Sequence, residues 1–171
     1  MRVSIERIES ILAMMMRYQD AKPPRIVIIA VASLIGDEAP LQMFCEQLVD
    51  DSSATWRVIG LVGTGSIFAV EASINEEDWD YEHYLDGQHP PVTEFAATVR
   101  RTSDIQALAL TKATSYNAGH KNSLWDIANA WEIQWRDGSP AIAFPQANTS
   151  SPFSDESVDN LAHVILKALG S

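Results

Sequence analysis

"WEIQWRDGSPAIAF", Trp131 to Phe144, is the stretch on which the reading of the fold turns. Trp131, Ile133 and Trp135 alternate with Glu132, Gln134 and Arg136, the two-residue period of a half-buried strand. Asp137-Gly138 then supplies a turn pair, because glycine adopts the positive φ of a tight hairpin at no steric cost. Folding back about that pair sets Ile133 opposite Ile142 and Trp131 opposite Phe144, so turn chemistry and apolar pairing agree. Trp135 falls opposite Pro140, a residue suited to a strand end or a sheet edge. Two tryptophans on one strand could also stack a ligand, but their alternation with polar residues favours burial.

Upstream, "TWRVIGLVGTGSIFAVEAS" (Thr55 to Ser73) predicts a second hairpin, turning at Thr64-Gly65 and pairing Leu61 with Phe68 and Ile59 with Val70. Its "GTGS" is not a phosphate loop, since a β-pattern follows where such loops feed a helix. A third pair, "VTEFAATVRR" and "DIQALALTKA", is joined near Thr102-Ser103. Alanines weaken its alternation.

Helices are expected at both ends of the chain. Ser4 can cap the first, with Ile5, Ile8, Ile11, Leu12 and Met15 forming its stripe before Pro23-Pro24. In the last, Ser154 serves as cap and Phe153 and Val158 staple across it. Val158, Leu161, Ile165, Ala168 and Leu169 form its apolar face and Gly170 ends it. Asp159, His163 and Lys167 line the opposite side. Between these, "IVIIAVASLI" (Ile26 to Ile35) reads as a strand covered on both faces, because it is β-branched and apolar throughout. A short inserted helix is expected over 40–49, with Pro40 at its first position and Leu41, Phe44, Cys45 and Leu48 on one face.

These elements predict an α+β protein, a single globular domain over 1–171. Its mainly antiparallel sheet is built of consecutive hairpins, with an N-terminal helix, a short inserted helix and a C-terminal capping helix. The order of hairpins followed by a terminal helix is similar to that of pleckstrin-homology-like domains, which implies a partly open barrel. A two-layer α+β sandwich is the competing arrangement.

Composition narrows function by exclusion. The 171 residues are 46% hydrophobic and 20% charged, values of a folded chain, with a net charge of −11. That charge repels phosphate backbones and anionic bilayers, and Arg100-Arg101 with Lys112, His120 and Lys121 is too little to reverse it. No nucleic-acid partner and no membrane insertion are therefore expected; the longest apolar run has ten residues, where about twenty span a bilayer. With a single cysteine, Cys45, there is no intrachain disulfide and no cysteine-based zinc site. No signal peptide is read at the start, and a cytoplasmic location is expected.

The loudest chemical signal is "EEDWDYEHYLDGQH", Glu76 to His89, with six carboxylates, two histidines and no Lys or Arg. Counted from Asp78 as a calcium loop, it places His83 and His89 where glycine and glutamate are required. Its acids share one solvated stretch, so no pair is driven apart into acid and base roles. His83 and His89 with a carboxylate could ligate a transition metal, but loop spacing fixes no geometry. Trp79, Tyr81 and Tyr84 interleaved with Asp80 and Glu82 instead suit a docking surface, aromatics anchoring a partner and carboxylates steering it. The expectation is a non-enzymatic interaction or regulatory domain without cofactor or metal. It binds a protein partner, a second copy included, through Trp79, Asp80, Tyr81, Glu82 and Tyr84. The alternative is a small-ligand-binding domain or enzyme, with a pocket between sheet and helix lined by Trp56, Trp131 or Trp135.

Overall fold

A computed structural model of the chain describes residues 3–16, 22–49, 53–75, 92–116, 126–145 and 152–170. In order they form α1 (Ile5–Met15), α2 (Arg25–Ile35), β1 (Pro40–Val49), β2 (Ser53–Val62), β3 (Ser66–Asn75) and β4 (Val92–Arg101). A 3-10 turn at Thr102–Asp104 leads into β5 (Ile105–Tyr116), β6 (Asp126–Trp135), β7 (Ile142–Phe144) and α3 (Pro152–Leu169). The class is α+β, as expected. The chain divides into two compact units, Met1–Arg100 and Arg101–Ser171. The first holds a four-stranded sheet in the order β1-β2-β3-β4, the second a three-stranded sheet in the order β5-β6-β7, and neither closes on itself.

Two segments exchange their expected roles. Residues 25–35 are helix α2, not a strand, and 40–49 are strand β1, not a helix. In α2 the buried positions are Val27, Ile28, Val31, Ala32 and Ile35, a helical repeat concealed by apolar residues on every side. Pro24 precedes it and its carbonyl accepts from the amides of Val27 and Ile28. Packing between α1 and the sheet overrides the weak helix propensity of its β-branched residues. In β1 the run Met43 to Glu46 is buried on both faces, which erases the alternation by which a strand is recognised.

The first unit is layered. Met43, Cys45, Trp56, Val58, Val62, Phe68, Val70, Ala72 and Ile74 point from the sheet into one core with Ile11 and Met15 of α1 and the buried residues of α2. Ser4 caps α1 by accepting from the Arg7 amide at 3.2 Å. The Arg7 guanidinium donates to the carbonyls of Gly36 and Glu38, where α2 ends and its last carbonyls carry partial negative charge. Glu38 in turn accepts from the Thr64 hydroxyl at 2.9 Å, tying the β2–β3 turn to the same corner.

That turn corrects the expected register by one residue. The loop is Gly63-Thr64-Gly65, three residues with Gly65 at φ 78°, not a two-residue turn. Leu61 therefore pairs with Ile67, Gly60 with Phe68 and Ile59 with Ala69. Phe68 and Val70 face the helices, while Ile59 and Leu61 face the other way. The Phe68 ring lies over Gly60, so that a Cβ there would collide with ring atoms Cζ and Cε1.

In the second unit the hairpin about Asp137-Gly138 forms as read, with Trp131 opposite Phe144 and Ile133 opposite Ile142. Gly138 has φ 74°, and the Asp137 carboxylate accepts from the Ser139 amide at 2.9 Å. The expected pairing of 92–101 with 104–113 does not form, because β4 lies in the sheet with β3 while β5 pairs with β6. The last helix starts at Pro152, two residues before the expected cap Ser154, so the rigid φ of proline opens it. Its Val158, Leu161, Ala162 and Ile165 are fully buried.

Replacing Gly60 by Ala is expected to lower unfolding free energy by about 1–3 kcal/mol, the usual cost of overpacking. Gly63→Ala, where an added Cβ meets nothing within 4 Å, should stay within about 0.5 kcal/mol. Denaturant unfolding of the two variants side by side checks the contrast.

Candidate functional site

The expected docking residues Trp79, Asp80, Tyr81, Glu82 and Tyr84, together with His83 and His89, lie outside the described residues. What is fixed is the frame. The connection leaves β3 after Asn75 and enters β4 at Val92, and these strands are neighbours in the sheet. The two strands are stitched close to those ends, where the Thr93 hydroxyl donates to the Ser73 carbonyl at 3.1 Å. Beyond it β4 is exposed along most of its length, including the large side chains Phe95 and Val99.

Among the described residues the most concentrated charge is a ladder across β1, β2 and β3. Glu46 stands opposite Arg57, and Arg57 opposite Glu71. The guanidinium donates through Nη1 to Glu46 Oε1 at 2.6 Å and through Nε to Glu71 Oε2 at 3.0 Å. Glu46 and Arg57 are buried, whereas the Glu71 side chain is 51% exposed. The ladder lies on the sheet face away from α1 and α2, beside buried Phe44, Ile59, Leu61 and Ile67. One row along, Thr55 Oγ1 and Ser73 Oγ share a hydrogen bond at 2.8 Å. An ion pair removed from water in this way stands only while both partners are present. Its chemistry is that of a register lock: the guanidinium is committed to two carboxylates.

The sequence reading missed this ladder for a definite reason. With a two-residue turn, Arg57 falls opposite Ala72 and Glu71 goes to the other face. Treating Gly63-Thr64-Gly65 as a three-residue loop closed by a left-handed glycine would have aligned Arg57 with Glu71.

A second polar cluster joins β6 to α3. Asp159 accepts from Asn129 Nδ2 through both oxygens at 2.9 Å and from Trp131 Nε1 at 3.1 Å. Asp159 was expected on the polar face of the last helix with His163 and Lys167. The latter two are exposed, but Asp159 turns to the sheet because the half-buried indole and amide need an acceptor. Of the tryptophans considered for a pocket, Trp56 is fully buried in the helix-side core, Trp135 is buried, and Trp131 is half-buried on Asp159.

Cys45 sits in the same core. Burial, reinforced by the negative charge of Glu46, pushes its thiol well above the usual cysteine range, which keeps it protonated and a poor nucleophile. Among the described residues no three His, Cys, Asp or Glu side chains converge as a metal site. No helix among them is long and apolar enough to cross a membrane.

Comparison with protein-family models, with curated proteins and with solved structures finds no match to this chain.

Truncating Arg57 to Met strands the buried Glu46 carboxylate and should cost about 3–5 kcal/mol, whereas Glu46→Leu combined with Arg57→Met should recover most of that loss. Urea titrations of the single and double variants measure it. The Cys45 thiol should react with an aromatic disulfide reagent only as fast as the protein opens, and at once in denaturant.

Proposed function

We propose that this chain is a non-enzymatic interaction domain of the cytoplasm, docking a basic protein partner through the connection at 76–89. The observation that carries the reading is placement. Six carboxylates with Trp79, Tyr81 and Tyr84, and no cationic residue, occupy one connection between two neighbouring strands. Fixing both ends of the connection lowers the entropy lost when it is ordered against a partner. Aromatic side chains bury large area at small conformational cost, while surrounding carboxylates raise the encounter rate with a basic surface.

The described residues lend support from another direction. Arg57 is committed to two carboxylates, Asp159 accepts three hydrogen bonds, and the Cys45 thiol is buried. Each of these groups has a structural task. The small-ligand alternative asks for Trp56, Trp131 or Trp135 to line a cavity. Trp56 is spent in the core and Trp131 is held by Asp159, which weighs against it.

Replacing Trp79, Tyr81 and Tyr84 together by Ala should abolish capture of the partner from the protein's own cell extract, read by mass spectrometry. The unfolding midpoint should not move. Capture by the parent chain should also weaken as salt rises from roughly 0.05 to 0.3 M, because exposed charges are screened over that range. Equal capture by the variant would sink the assignment of the site.

A further inference from the structure

We draw no further inference here: the strongest candidate, the pair of exposed apolar side chains Phe95 and Val99 on β4 at the edge of the four-stranded sheet, carries nothing because nothing in the structure shows what covers them.

Discussion

Burial of β2 on both faces is the constraint from which the first unit follows. From Trp56 to Val62 every residue of the strand is buried, although Arg57 stands among them. On the helix side the solution is apolar: Trp56, Val58 and Val62 meet α1 and α2. On the other side a guanidinium has been taken from water. That costs several kcal/mol unless carboxylates stand at the same level on both flanking strands. Glu46 and Glu71 do so. The same three residues thereby align three strands. A slip of one residue would carry the charges to the helix face and the core side chains to the ladder face.

Gly60 belongs to the same constraint. It lies on the helix side of β2, and the Phe68 ring across from it fills the space a side chain would take. A large aromatic is accommodated in the sheet because its partner has no Cβ. The second unit is organised more loosely around polar bonds. Apolar burial there is concentrated in Ile105, Ile133, Trp135, Phe144 and the inner face of α3. The helix is also tethered by a carboxylate that serves an indole and an amide on β6. Hydrogen bonds to a charged acceptor are stronger than neutral ones, so Asp159 fixes the position of α3 along the strand.

Functional groups follow a division between what is consumed by folding and what is left over. Charges inside the first unit are consumed as a register lock, and the only thiol is consumed by the core. What remains distinctive is the acidic aromatic connection between β3 and β4 and the exposed β4 itself, which adjoin in sequence. The candidate docking residues were legible because composition alone marks them: aromatics among carboxylates with no cation nearby. The charged ladder was not, since it exists only at one register. That register depends on whether three residues or two turn the chain at Gly63.

By itself the sequence determined those features that depend on neighbours a few residues apart. The Ser4 cap, the helical stripe of α1, the Asp137-Gly138 hairpin with Trp131 opposite Phe144, and the α+β class all follow from turn chemistry and short-range periodicity. Only the tertiary structure decided which of two apolar segments would be helix and which strand. Both α2 and β1 are buried around most of their surface, and burial on all sides removes the periodic contrast that distinguishes the two. It also decided that β4 and β5, joined by a three-residue turn, enter different sheets. Strand partnership is a non-local choice, set by which face each strand can bury and not by how short the connection between them is.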